Sequence, residues 1–489
     1  MKKAILTLSM FLLMLPMCAQ VERPRLVVGL VVDQMRWDYL YYYYNDYSEG
    51  GLKRLLSEGY SYENTQINYS PAVTAVGHSS IFTGSVPAFN GIPGNWFWED
   101  GKSKYCCTDT TVKSVGSNSA EGQMSPRNLW GTTIGDELRL ATDFKSKVIG
   151  VALKDRASIL PAGHSANAAY WWDTSAGHFV SSTFYMTDLP QWVKDFNKAN
   201  HTKPGFNIKT NDEGVTMTFR MAQAAIDNEK LGQTDGETDM LTISVSSTDA
   251  IGHVYSTRGP ENKSVYLRLD RDVESFLSYL DKTVGKGNYL LFLTADHGAS
   301  HNYNFLKSHR IPADGWDYDK SVKELNSYLR ATFPQLTQDP VLGEDNYHFY
   351  FNDKAFSAAD RQGVIDAAVE YLKQDKQYLW VVDNNKIATS EVPEPIKTRL
   401  INGIAPHRSG DITVVTRPQV FGAPVSPTYK GTSHGQPMAY DVHIPFVLYG
   451  WHVEHGESTK PASITDIAPT ICAMLHIQMP DAAIGNSVR

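Results

Sequence analysis

With 489 residues, 42% of them hydrophobic and 20% charged, the chain can bury a sizeable core as one large domain or as a core with an insertion. Its formal net charge of -8 excludes an overall basic surface for a nucleic-acid backbone, and no local basic patch replaces one. A small anionic substrate needs only local positive charge.

The first segment reads as an address. Lys2 and Lys3 precede an apolar run from Ala4 to Leu15, too short to span a bilayer, which predicts a signal peptide over 1–19 with cleavage after Ala19. Export to the periplasm or the medium is the expected outcome. Cys18 invites a lipoprotein reading, but the bulky Met17 before it fits lipid attachment poorly, so a soluble exported protein is expected. No later segment is apolar enough to span a membrane. Removing the leader leaves Cys106, Cys107 and Cys472, an odd number with no CxxC pair or nearby histidine, and they read as packing residues with at least one thiol free or paired between chains.

Apolar, β-branched runs at Leu26 to Val32, Val148 to Leu153, Leu241 to Val245 and Tyr289 to Leu293 predict buried strands. Helical patterns lie between and after them, at Gly51 to Glu58, Tyr266 to Leu280 and Ile464 to Leu475. This alternation predicts an α/β fold: a layered αβα core with a mostly parallel central sheet, over 20–301 and 406–489. An inserted α+β cap is expected at 302–405, carrying strands at Tyr347 to Phe351 and Leu379 to Val382 and a helix from Ala358 to Lys373. The polar stretch from Asp188 to Thr238 reads as surface elaboration. Ligands of open α/β sheets bind outside the carboxyl ends of the strands, where Asp33, Lys154, Asp249 and Asp296 are placed.

Asp33 closes the first strand in VVGLVVDQMRWD, where a carboxylate can either hold a divalent cation or cap the next helix. In SPAVTAVGHSSIFTG, Thr74 sits where a loop becomes a helix. Backbone N–H groups and the helix dipole favour an anion beside its hydroxyl, although an N-cap threonine would look the same. A threonine hydroxyl is a weak nucleophile, and with no adjacent His-Asp pair a metal ion is its natural activator. His78, one turn on, reads as a packed, hydrogen-bonded histidine rather than a general base. STDAIGH sets Asp249 and His253 on one helix face, TADHG supplies Asp296 and His297 at a strand end, and GTSHGQP adds His434. Three Asp and three His suit two zinc ions that could clamp both apical oxygens of an in-line phosphoryl displacement. In VALKDRAS, an extended backbone would turn Lys154 and Arg156 to one side, toward a phosphate, and Asp155 away; the plainer alternative is a solvated strand end.

These motifs, in this order, resemble the alkaline phosphatase superfamily from about Pro24 to Thr470, and within it the monomeric, phosphate-irrepressible alkaline phosphatases of flavobacteria. The resemblance implies one zinc on Asp33, Thr74, Asp296 and His297, and another on Asp249, His253 and His434. It implies a phosphothreonine intermediate, with Asn95 of GIPGNWFW, Lys154 and Arg156 binding the phosphoryl oxygens of small monoesters. The residues after Thr74 are Ala-Val-Gly-His and not the x-P-x-R of sulfatases, and no separate magnesium site is visible. Two other readings share parts of the pattern: a phosphodiesterase or nucleotide pyrophosphatase of the same superfamily, and a non-catalytic exported metal-binding protein. The Lys154 and Arg156 pair argues against the first, and the intact ligand set against the second.

Overall fold

The computed structural model describes residues 21–489. The leader expected at 1–19, and Cys18 with it, lies outside the described residues. The core is a ten-stranded sheet whose middle is five parallel strands. They are β1 (Leu26–Val32), β2 (Val148–Ala152), β3 (Ala168–Asp173), β4 (Asp239–Val245) and β5 (Tyr289–Thr294), in the spatial order β5-β1-β4-β2-β3. Every residue of all five is buried, which is why they read as continuous apolar runs: helices cover both faces of a parallel sheet. Strand Phe446–Gly450 runs antiparallel beside β5, and His178–Ser182 antiparallel beside β3.

Register decides where the site forms. Val32 is level with Val245, Val31 with Thr294, and Ser244 with Ala152. The carboxyl ends of β1, β2, β4 and β5 therefore finish together, and the segments that leave them emerge along one edge of the sheet.

The stretch from Asp188 to Thr238 is more than surface elaboration. It holds helices Gln191–Asn200 and Glu213–Glu229, and the second buries Val215, Phe219, Ala222 and Ile226 at helical spacing in the main core. Its polar face supplied the loop-like composition.

The cap runs past the expected limit of 405. Its four-stranded antiparallel sheet, in the order Val341–Asp345, His348–Phe351, Ile412–Thr416, Tyr378–Asp383, takes in a strand from beyond that boundary. Helices Tyr318–Thr332 and Arg361–Leu372 close a separate core with it around Trp316, Phe349 and Ile365. The strand ITVVT is as apolar as those of the main sheet, so composition alone did not assign it to the cap. Among the described residues no helix is long and apolar enough to cross a membrane. Cys106, Cys107 and Cys472 are buried and unpaired, with the vicinal sulfurs 3.9 Å apart.

A Cβ on Gly29 in β1 would stand 2.7 Å from Phe292 Cζ and 3.1 Å from the Phe82 ring. Gly29→Val is expected to destabilise the fold by about 1–3 kcal/mol through overpacking, read as a lower urea midpoint at unchanged slope.

Candidate active site

The level strand ends deliver four polar segments to one place. Asp33 follows β1, Lys154 lies just past β2, and Asp249 sits in helix α1 (Ser247–Tyr255) after β4; Asp296 and His297 follow β5. All five are buried. The Lys154 ammonium lies 2.6 Å from Asp33 Oδ2, 2.5 Å from Asp249 Oδ2 and 3.5 Å from the Thr74 hydroxyl. Two carboxylates thus face one ammonium, with the Asp296 carboxylate close by. Burial and the neighbouring Asp296 and Asp249 carboxylates push the Asp33 carboxyl well above its usual range, against the pull of Lys154. The pocket carries more negative charge than one lysine offsets.

Each of the three histidines is anchored on its Nδ1 by a backbone carbonyl: His253 by Thr432 at 2.9 Å, His297 by Gly298 at 3.0 Å and His434 by Ala72 at 2.8 Å. An Nδ1–H donated to a carbonyl leaves Nε2 as the lone-pair nitrogen, the arrangement typical of metal-binding histidines. Each Nε2 points at an aspartate: His253 and His434 reach Asp249 Oδ1 at 3.1 and 3.6 Å, and His297 lies 3.5 Å from both Asp33 and Asp296. Burial, with His297 beside it, holds the His434 imidazole well below its usual range, and a neutral ring is the form that binds metal.

The ligand atoms form two tight groups, each within 4.8 Å: Asp33, Asp296 and His297, and Asp249, His297 and His434. His297 belongs to both, stacked on the His434 ring at 3.6 Å. His253, expected in the second set, stands beside Asp249 with its ring 5.2 Å from that of His434. Asp33 Oδ1 and Asp296 Oδ2 are buried and accept no hydrogen bond. Carboxyl oxygens turned toward imidazole lone pairs fit a divalent cation bound by mixed nitrogen and oxygen ligands.

Thr74 is the first residue of the helix Thr74–Thr83. The residue in the cap position is Val73, with no capping side chain, so the threonine hydroxyl is not spent on a cap bond. It lies 3.5 Å from His297 Nε2. Gly77, one turn on, lets this helix lie against the second aspartate, since a Cβ there would be 2.3 Å from the Asp296 carbonyl oxygen. His78 has its Nδ1 on the Thr74 carbonyl at 2.9 Å and its Nε2 on Ser244 at 2.8 Å, which is the packed, hydrogen-bonded role. Asn95 Oδ1 accepts the Ala75 N–H at 2.9 Å, which brings its amide to the same helix end.

The extended reading of Lys154-Asp155-Arg156 does not hold. Lys154 is the last extended residue, and Asp155 opens the helix Asp155–Ala162, favoured there by its charge at a helix N-terminus. Lys154 and Arg156 therefore do not alternate along a strand. Lys154 enters the carboxylate cluster, while Arg156 donates to the Tyr105 hydroxyl at 3.0 Å, beside the Asp155 carboxylate at 4.0 Å. Both are more buried than a solvated strand end would be.

Three contributors carry no chemical motif in the sequence. Tyr105 holds Arg156. Asn346 and Tyr347 form the two-residue tip of a cap hairpin, both with positive φ, at 56° and 68°. Asn346 donates to the Trp96 carbonyl at 2.9 Å, next to Asn95, and the Tyr347 hydroxyl donates to the His434 carbonyl at 3.4 Å. An Asp-Asn pair before an aromatic run was the available turn signal.

The family described as Type I phosphodiesterase / nucleotide pyrophosphatase matches residues 27–435. The alkaline phosphatase PafA of Elizabethkingia meningoseptica is 44% identical over 96% of this chain and 94% of its own. The chain belongs to the phosphodiesterase and alkaline phosphatase superfamily. A crystal structure of PafA covers 96% of this superfamily member and 99% of its own chain with a TM-score of 0.90. A solved PafA variant carries substitutions at one threonine, one asparagine, one lysine and one arginine. Alkaline phosphatase PhoV of Synechococcus elongatus is 43% identical over 96% of this chain and 93% of its own. A Myroides odoratus protein named calcium-transporting ATPase is 44% identical over 96% and 95%. Membership in this superfamily implies a metal cofactor, which the two ligand groups can accept.

Because His297 belongs to both groups, titrating zinc into chelator-stripped protein should raise its thermal midpoint, by about 4 kcal/mol of stabilisation at a thousandfold excess over Kd. His297→Ala should remove most of that rise in a calorimetric scan, whereas His253→Ala should remove less.

Proposed function

We propose that the protein is an exported, zinc-dependent alkaline phosphatase that hydrolyses small phosphate monoesters through a phosphothreonine at Thr74. The observation that carries this reading is the uncapped Thr74 hydroxyl at a helix N-terminus, 3.5 Å from both His297 Nε2 and the Lys154 ammonium and so beside both ligand groups. Asp33, Thr74, Asp296 and His297 would hold one zinc, and Asp249, His253 and His434 the other. Bound there, the ions would supply Lewis acidity for the threonine hydroxyl, for the leaving oxygen and for a hydrolytic water.

Thr74 Oγ1 attacks phosphorus in line as the ester oxygen departs as an alcohol, forming phosphothreonine; water then attacks the same phosphorus from the side the alcohol left, releasing phosphate and restoring Thr74. Lys154 supplies a charge beside the nucleophile. Arg156 is near enough to Lys154 for its charge to act on that group, and its Tyr105 contact aims the guanidinium. Asn95, fixed through Oδ1 to the Ala75 N–H, keeps Nδ2 for a phosphoryl oxygen. A monoester dianion presents more charge to these three donors than a diester does, so they reward monoesters. The alkaline phosphatase names of two close relatives, and a PafA variant changed at one each of these four side-chain types, support the assignment. The leader at 1–19 supports a periplasmic or secreted location, and we take the working form to be a monomer.

The family description favours one competitor, a phosphodiesterase. The zinc-loaded protein should cleave an aryl phosphate monoester much faster than the matching diester, and Lys154→Ala with Arg156→Ala should collapse that preference. Faster diester cleavage, or a preference that survives the double substitution, hands the reading to the diesterase. Thr74→Ala should lower kcat on the monoester by at least about 1000-fold, and acid-quenched wild-type enzyme should carry phosphate on Thr74.

A further inference from the structure

Gln34, the residue after Asp33, holds a left-handed backbone with φ 65° although it is not glycine. Such a conformation persists only where the surroundings enforce it, and it gathers at functional sites. Gln34 is 3% exposed, and the turn points its two donors in different directions. The backbone N–H donates to Asp296 Oδ1 at 3.1 Å, and the side-chain Nε2 donates to Asp249 Oδ1 at 2.6 Å. Asp296 belongs to one ligand group and Asp249 to the other. A single residue therefore spans both.

The room for this contact is built into the helix that carries Asp249 and His253. A Cβ on Gly252 would lie 2.0 Å from Gln34 Oε1, so a larger residue there would push the side-chain amide out of this position. The amide is also neutral. It orients Asp249 without adding a positive charge that would compete with a bound dication, which a lysine in its place would do.

We infer that Gln34 is a positioning residue that fixes the mutual placement of the two aspartates, and with them of the two metal positions, Gly252 leaving the space its amide occupies. This rests on the zinc-dependent reading of the site.

Two substitutions test it from opposite sides. Gln34→Gly removes the amide while relaxing the backbone, and Gly252→Ala displaces the amide while leaving Gln34 in the chain. Zinc-loaded wild-type and variant proteins are titrated with a competing chelator, alongside steady-state kinetics and thermal scans of the stripped proteins. Both variants should lose zinc at roughly tenfold or more lower chelator concentration, with kcat falling more than KM rises. Stripped Gln34→Gly should melt no lower than stripped wild type. Zinc retention equal to wild type in both variants overturns the inference, and so does a loss matched by a lower melting point of stripped Gln34→Gly, which would mark Gln34 as merely structural. If the wild type binds zinc and hydrolyses the ester while the variants behave like it, only this inference fails. A wild type that takes up no zinc overturns the proposed function as well.

Discussion

Three aspartates held within a few ångströms of one another in a dry pocket repel, and each loses hydration on burial. Asp33, Asp249 and Asp296 are in that position, and their surroundings answer it. Gln34 and the backbone supply neutral donors, Lys154 supplies one positive charge between Asp33 and Asp249, and two carboxylate oxygens receive no hydrogen bond at all. Charge of that density in the core is costly without a cation, so the same repulsion that threatens the fold gives the site its appetite for metal. The sheet holds them there: Asp33 and Asp296 lie just past buried strands, and Asp249 is on the helix that leaves a third.

Much of this was legible in the residues. Buried parallel strands announce themselves as unbroken apolar runs, and Leu26–Val32 is bounded in the structure as the pattern bounds it. A polar residue placed at a strand end inherits that legibility, as Asp33 and Asp296 do, and the pair Asp249 and His253 inherits it from helical periodicity. Lys154 and Arg156 were harder. Only the point at which a strand hands over to a helix decides whether their side chains run together, and a charged Asp at position 155 starts the helix one residue sooner than an extended reading assumes. The contributions of Gln34, Tyr105 and Tyr347 were illegible, because they depend on contacts between segments far apart in sequence and their residue types suggest no chemistry.

The four-stranded sheet is tied to the candidate site through its hairpin. Its hairpin tip touches the backbone beside Asn95 through Asn346 and the backbone of His434 through Tyr347. Trp316, stacked on Tyr347 at 5.3 Å, braces that tip from the core of the cap. A group that would grip the phosphate and a group that would grip a metal are thereby referred to the same small turn, so a change in cap packing reaches both at once.

The level strand ends also have a consequence for how the molecule is born. β1 is made first but pairs on both sides with strands made much later, β4 and β5, and His434 joins from a loop beyond the cap. Such non-local topology folds slowly, because distant segments must be brought together before their contacts repay the lost entropy. No early fragment holds a complete ligand group: the chain must pass His297 for the first and His434 for the second. Metal bound by these groups would therefore act late, on a sheet whose strands have already paired.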